Sequence, residues 1–344
     1  MSITTQRDQA TVSRQTRLLG APSATAFPPF PAGWYYVCRL RDLRNRPVAI
    51  GIAARKLVMF RGSSGSPTAL DSNCAHMGAE LSRGCVLNGR IQCPFHGWEY
   101  DEQGRCVHIP AQTEIPAFAL QRAHPTIERS GMVFVYLGGR KPFPFPELFE
   151  PTKSPLIVAR PASYVINCPW YMFGANGFDV QHFRLVHGRE LLDEPQVDIP
   201  APFGRRIRFR SRVVGQSRHD RLIRRLIGDT VDVTITSWAG TIVAVTARFR
   251  RAVSRILFSV SPEARESARA NVLVLAERSP WYGRWAQPLE LLIRRKLTVA
   301  FLRGDTHEVR GAVYRPETVI EADRVIVDYY HWLAALAPPG DSDE

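Results

Sequence analysis

The sequence predicts an α+β protein in two parts, a small all-β module followed by an antiparallel sheet with helices packed on it. Three observations carry this. Short β-rich runs broken by Gly, Ser, Asp and Asn clusters fill the chain from about residue 31 to residue 140. Longer runs with β-branched or aromatic residues at alternating positions follow. The C-terminal third then shows helical spacing of Leu, Ile, Val and Trp, and strands followed by helices are the pattern of an α+β domain.

Residues 1–30 are polar and then Pro-rich, ending in Phe27-Pro-Pro-Phe-Pro-Ala-Gly33, and read as a tail that leads into the first strand. Residues 31–140 are the all-β module, with strands expected at Trp34–Leu40, Val48–Ala53, Leu57–Phe60 and Gly131–Leu137. Lys141-Pro-Phe-Pro-Phe-Pro-Glu147 opens a Pro-rich stretch, 141–155, that breaks regular structure and reads as a linker. The second domain is expected over 156–338. It should contain a strand at Leu156–Ile166, a helix from about Pro169 to Val186, and strands at Ile207–Val214, Val231–Trp238, Ile242–Phe249, Ile256–Val260 and Val272–Glu277. Trp238-Ala-Gly-Thr241 fits a hairpin turn, and Trp285–Phe301 and Asp323–Leu336 have helical spacing.

At 344 residues, of which 45% are hydrophobic, the chain can bury a sizeable core. No run of about 18 apolar residues appears and the first twenty residues are polar, so neither a membrane span nor a signal peptide is expected, and the location should be cytoplasmic. Six cysteines in so long a chain argue against a disulfide framework and for metal-binding or buried thiols. The net charge of +13 is almost all arginine, lysine occurring at four positions. The arginines are spread from Arg7 to Arg324 without an aromatic-interleaved cluster, which argues against nucleic-acid binding. Steering of an acidic redox partner and a generally solvated basic surface both remain open.

The sharpest motif is Cys74-Ala-His76, sixteen intervening residues, then Cys93-Pro-Phe-His96 followed by Gly97-Trp98. Each loop offers one thiolate and one imidazole. A two-iron, two-sulfide cluster with one iron on two Cys and the other on two His needs that supply, and the neutral imidazoles raise its potential above that of all-Cys clusters. Zinc also accepts Cys2His2, but zinc sites favour pairs spaced by two to four residues, and Cys74 and His76 are separated by one.

A second constellation follows the Pro-rich stretch: Asn176-Gly-Phe-Asp179-Val-Gln-His182-Phe-Arg-Leu-Val-His187. Two imidazoles and a carboxylate can form the facial triad that holds Fe(II) with positions open to O2. His182 and His187, five apart, lie about 140° apart around an ideal helix, so they converge only if the helix ends or kinks. Taken alone, two His near an Asp also fit an ordinary surface helix.

The segment Gly89–Gly104, running on through Cys106-Val-His-Ile-Pro110, resembles the cluster-binding domain of the Rieske non-haem iron oxygenases. That resemblance implies an N-terminal all-β Rieske iron-sulfur domain and a C-terminal α+β catalytic domain of helix-grip-like form. It assigns Cys74 and Cys93 to one iron of a [2Fe-2S] cluster and His76 and His96 to the other, with Gly97 allowing the tight approach and Trp98 shielding the cluster. Cys85 and Cys106 have no motif role, and His108 is structural.

The stretch from Asn176 to His187 is similar to the mononuclear iron site of short, single-subunit members. By that resemblance His182 and His187 ligate Fe(II), Asp179 bridges across a subunit boundary to a cluster histidine of a neighbouring protomer, and Asn176 is a polar neighbour of the iron. The third ligand follows a long C-terminal helix, which points to Asp305 in Phe301-Leu-Arg-Gly-Asp-Thr-His-Glu308, with Glu308, Asp323 and Asp328 as alternatives and His307 an outer neighbour. Val309 departs from the aromatic residue many relatives carry there.

The activity so implied is that of a terminal oxygenase: O2-dependent oxidation, monooxygenation more than dioxygenation, of an apolar or aromatic small molecule. Electrons would come from a ferredoxin or reductase and ultimately NAD(P)H, and a head-to-tail homotrimer would bring the two metals together. Phe173, Trp238, Phe249 and Phe258 are candidate pocket residues, and core packing explains them equally well. The competing function is a Rieske electron-transfer protein whose second domain only docks partners.

Overall fold

The computed structural model describes residues 18–336 apart from 45, 140, 281, 282, 284, 309 and 310, and excludes the side chains of residues 219 and 303–308. Among the described residues the N-terminal part holds eleven strands: β1 (Gly33–Arg39), β2 (Val48–Ile52), β3 (Arg55–Arg61), β4 (Pro67–Asp71), β5 (Cys85–Leu87), β6 (Arg90–Gln92), β7 (Glu99–Tyr100), β8 (Cys106–His108), β9 (Ala123–His124), β10 (Thr126–Arg129) and β11 (Met132–Leu137). They form a β1-β11-β10 sheet, a β2-β3-β4-β9 sheet and a small β5-β6-β7-β8 sheet. The small sheet presents the two Cys/His loops.

Residues 141–155 form no strand or helix, yet they are not a free spacer. Phe143 and Phe145 pack into a shared core with Trp34, Phe134 and Tyr136, and Trp34 Nε1 donates to the Phe143 carbonyl at 3.0 Å. The described residues just ahead of β1 are also tied down. Phe27 stacks on Tyr171 of the C-terminal part with ring centroids 4.0 Å apart.

The C-terminal part is built on one nine-stranded sheet, antiparallel throughout. Its strands are β12 (Leu156–Val158), β13 (Ala162–Ile166), β14 (Arg189–Leu191), β15 (Gln196–Ala201), β16 (Gly204–Val213), β17 (Thr230–Trp238), β18 (Ile242–Phe249), β19 (Val253–Ala264) and β20 (Ser267–Glu277). The single strand expected over 156–166 is two, β12 and β13, interrupted around Pro161, and both pair with β20. Ala239 and Gly240 both take positive φ, 49° and 72°, which makes the tight β17–β18 turn that the sequence placed there.

The helix expected over 169–186 is likewise two, α1 (Trp170–Asn176) and α2 (His182–His187). α3 (Arg218–Leu226) lies between β16 and β17, with Ser217 Oγ accepting the Asp220 N–H at its start. α4 (Gln287–Glu308) and α5 (Arg324–Ala335) close the chain. One sheet face packs against α1 and α5 through Ile235, Val243, Phe258, Trp170, Tyr329 and Leu333. The opposite face, through Trp238, Leu257 and Leu273, packs against β1 and β11. Both faces of this sheet are therefore covered.

That double cover corrects one pocket residue. Side chains alternate along a strand, and Trp238 lies on the even-numbered face of β17, against the N-terminal part, opposite to Ile235. Trp238 therefore does not line the cavity described below, whereas Phe173, Phe249 and Phe258 do.

Candidate functional site

The two Cys/His loops share one backbone design. In each, the Cys N–H donates to the carbonyl five residues on, Cys74 to Ala79 at 2.8 Å and Cys93 to Trp98 at 2.8 Å. In each, a glycine four residues after the Cys donates back, Gly78 to the Cys74 carbonyl at 2.9 Å and Gly97 to the Cys93 carbonyl at 3.1 Å. Gly78 and Gly97 have φ of 71° and 72°, the left-handed region that costs any residue with a Cβ. Sequence reading found Gly97 and missed Gly78. The signal was present as a second Cys-x-x-x-Gly.

This design buries the thiols and turns the imidazoles outward. Cys74 and Cys93 are buried, while His76 and His96 are exposed and bring their Nδ1 atoms to 3.1 Å of each other. Trp98 stacks flat on His76, ring centroids 4.5 Å apart and planes within 4°, and Tyr100 lies with its hydroxyl 3.1 Å from Cys74 Sγ. Burial raises the Cys74 thiol pKa, so a bare thiol there is held protonated. Two inner thiols beside two outer imidazoles that can turn their lone pairs to one ion fit a cluster with one sulfur-held and one nitrogen-held iron. Cys85 is exposed, Cys106 is buried with its thiol 3.5 Å from the His108 carbonyl, and His108 is exposed.

The second constellation lies on α2, a six-residue helix with one histidine at each end. His182 opens it and His187 closes it, where Gly188 at φ 59° turns the chain out of the helix. The helix ends as the spacing required, and the imidazole centroids stand 5.1 Å apart. A side chain at Gly188 would meet the Gly215 backbone, with Cα at 2.6 Å, so the turn demands glycine twice over.

Neighbouring elements fix this helix. His187 is buried and stacks on Phe301 of α4, centroids 4.2 Å apart. Arg189, on β14 and buried, donates to the carbonyls of His187 at 2.7 Å and Gly188 at 3.1 Å, and pairs with Asp220 of α3 at 2.8 Å. At the other end Gln181 donates to Asp323 at 2.5 Å. Asp323 is therefore occupied in holding α2, and Asp328 is exposed on α5.

Asp179 sits in the break between α1 and α2, its carboxylate 3.5 Å from His182 Nδ1 and accepting the Gln181 N–H at 3.0 Å. Burial pushes its pKa up, but the His182 imidazole and the backbone N–H groups outweigh that and hold it below the ordinary range. About a third of its side chain stays exposed, so it touches the imidazole and faces outward at once. Asn176, at the end of α1, lines the cavity beside His182 and His187.

Asp305 does not follow the helix, as expected, but lies within it, since α4 runs on to Glu308. The side chains of Asp305, His307 and Glu308 fall outside the described residues, as does Val309. Among the described residues no group of three His, Cys, Asp or Glu assembles around an ion. His182 and His187 could supply the imidazole pair of a facial triad, and α4, which carries Asp305 one turn beyond Phe301, packs on α2.

The two imidazoles open on a cavity of about 290 Å3 between the sheet and the helices. Its lining is overwhelmingly apolar, with Phe173 and Phe183 at the helix side and Val233, Val245, Ile256 and Phe258 on the sheet. Among the described residues, charge enters through Arg189, Arg294 and the imidazoles.

The Rieske [2Fe-2S] domain family matches residues 33–119. The chain is 40% identical over 151 residues to aminopyrrolnitrin oxygenase PrnD of Pseudomonas fluorescens, covering 42% of this chain and 40% of that protein. It is 38% identical over 137 residues to the oxygenase component of 3-ketosteroid-9-alpha-monooxygenase of Rhodococcus rhodochrous, covering 40% and 35%. The chain thus spans about two fifths or less of the length of these curated relatives. Among solved structures it is similar to dicamba monooxygenase bound to dicamba, with a TM-score of 0.67 and 19% identity over 88% of this chain and 96% of that one. It is similar too to Pseudomonas putida CBB5 NdmA with caffeine, at 0.65 and 21% over 87% and 89%. Residues 33–119 thus match a Rieske [2Fe-2S] domain, and the fold, with that domain ahead of a sheet-rich part flanked by helices, is the fold of these solved structures.

Proposed function

We propose that this protein is a terminal oxygenase, carrying out O2-dependent oxidation, monooxygenation first among the possibilities, of an apolar or aromatic small molecule. The single observation that carries the reading is the placement of His182 and His187 at an apolar cavity in a different domain from the Cys74/His76/Cys93/His96 loops. A protein that only relays electrons has no use for an apolar cavity under two convergent imidazoles.

His182, His187 and Asp305 would hold a mononuclear Fe(II), and Cys74, Cys93, His76 and His96 a [2Fe-2S] cluster. When bound, these supply O2 activation at open coordination positions and one-electron relay, respectively. The chain's own residues do the rest. The cavity walls bind the substrate and exclude water, and Asn176 stands at the imidazole end as a polar neighbour. Asp179 orients His182 through its 3.5 Å contact and keeps an exposed edge for a cluster histidine of a second copy.

Exposure of His76 and His96, with Met77, Phe95 and Phe118 exposed close by, supports a protein-docking role for that face. A head-to-tail trimer would seat it against a neighbouring Asp179. The electrons would come from a ferredoxin or its reductase, and from NAD(P)H behind them.

The relatives' names include monooxygenases and desaturases, such as the tert-butanol monooxygenase / tert-amyl alcohol desaturase oxygenase subunit of Aquincola tertiaricarbonis. Hydroxylation, N-oxidation, desaturation, demethylation and ring formation share the metal chemistry and differ by the pocket. The test is a single-turnover reaction. Reduced, metal-loaded protein is mixed anaerobically with candidate apolar compounds and given one pulse of O2, and products are read by mass. Oxidised product formed without added reductase supports the reading, and O2 reduced with every compound unchanged contradicts it.

A further inference from the structure

We propose that the cavity takes a neutral, largely apolar molecule carrying one carbonyl or hydroxyl group, and that Ser211 Oγ is the hydrogen-bond partner of that group. The proposal rests on the reading that this cavity is the substrate site.

Ser211 lies on β16, in the alternating row that points Ile207, Phe209 and Val213 inward. Its cross-strand neighbours are Leu191 on β14 and Val231 on β17. A hydroxyl thus stands among Ile207, Phe209 and Val213 along the strand and Leu191 and Val231 across it. Ser211 is 1% exposed, lines the cavity, and its Oγ has no hydrogen-bond partner among the described residues. A buried hydroxyl left unpaired is destabilising, and buried polar groups are otherwise almost always paired. Ala or Val would pack the same position without that penalty. A bound molecule that supplies the missing hydrogen bond accounts for the serine.

The charged groups of the lining restrict the class further. Arg189 is committed to the His187 and Gly188 carbonyls and to Asp220. Arg294 donates to Glu290 at 2.8 Å and to the Val253 carbonyl at 2.9 Å. Each guanidinium's charge is already matched by a carboxylate, Arg189 by Asp220 and Arg294 by Glu290, so a substrate carboxylate would add an unmatched negative charge to an apolar lining, and burial of such a charge is far costlier than burial of an unpaired hydroxyl. The cavity is therefore suited to a neutral molecule.

The experiment compares 1-tetralone, tetralin and 1-naphthoate by calorimetric titration of the metal-loaded full chain, wild type and Ser211→Ala. Wild type is expected to favour 1-tetralone over tetralin by about 3- to 10-fold, one ordinary hydrogen bond. Ser211→Ala should abolish that preference while leaving tetralin affinity unchanged, and without ligand its melting temperature should equal or exceed that of wild type. An unchanged ratio in Ser211→Ala, or a lower melting temperature of the ligand-free variant, overturns the role of Ser211. Tighter binding of 1-naphthoate than of either neutral probe overturns the neutral class. Failure of every probe to bind wild type overturns the assignment of this cavity as the substrate site, and the proposal falls with it.

Discussion

His187 lies flat against Phe301, ring centroids 4.2 Å apart and planes within 14°, so α4 fixes the orientation of an imidazole that α2 supplies. The same helix carries Asp305. Packing of α4 on α2 through this pair would couple the third ligand to the other two. Phe301→Ala should therefore weaken mononuclear iron retention about 10- to 100-fold, as loss of a supporting neighbour does at metal sites. Iron analysis after mild chelation checks this, and the visible spectrum of the cluster should be unchanged.

Arg189 and Asp220 form a buried pair on the other side of α2, and the pair holds the carbonyls that end the helix. Removing one partner strands a buried charge. Asp220→Ala should cost roughly 3–5 kcal/mol, measured by urea unfolding followed in the C-terminal part. The double variant Arg189→Met/Asp220→Leu should recover part of that loss. A single variant within about 0.5 kcal/mol of wild type would show that the pair does not support the helix.

The two cluster loops predict unequal responses to the same change. Gly78→Ala and Gly97→Ala both force a side chain into a left-handed backbone, at about 1–2 kcal/mol each. The Cβ at Gly78 meets nothing within 4 Å, whereas at Gly97 it meets Pro110 Cγ at 3.0 Å. Cluster content, read from labile sulfide, should fall more in Gly97→Ala than in Gly78→Ala.

Much of this was legible in the sequence because it is written in contiguous residues. Each cluster loop lies within six residues, and Asn176 to His187 within twelve, so spacing alone brings their chemistry together. The long strands β16 to β20 were legible from alternation. What alternation could not reveal is which face is which. Both faces of this sheet are covered, so Ile235 and Trp238 read alike although one faces the helices and the other the N-terminal domain.

The Arg189–Asp220 pair was illegible for another reason. Its members are 31 residues apart and meet only after β16 returns the chain past β14. Asp305 was expected beyond a helix because the resemblance implies a ligand that follows one, yet α4 continues through Gly304.

The cysteines give a further check. Burial pushes the Cys168 thiol up to about 11 and the Cys38 thiol up to about 12, while Cys85 is exposed. The thiolate is the reactive form, so at pH 8 a thiol reagent should label Cys85 quickly and leave Cys38 and Cys168 unmodified until unfolding. Peptide mass mapping reads this, and early labelling of Cys168 would contradict the packing around it.

Asp179→Asn should leave both metals bound while substrate oxidation falls at least about 100-fold, as expected for a residue that positions another group. Metal content and turnover are measured on the same sample. Retained turnover would remove Asp179 from the path between the two sites.

The central claim is that one chain holds two separate iron sites. Iron and labile sulfide measured per chain test it most directly, in wild type and in the His182→Ala/His187→Ala variant. The account predicts about three irons and two sulfides in wild type, and about two irons and two sulfides, with the cluster spectrum intact, in the variant. Two irons in both proteins would contradict it, and would leave an electron-transfer protein in its place.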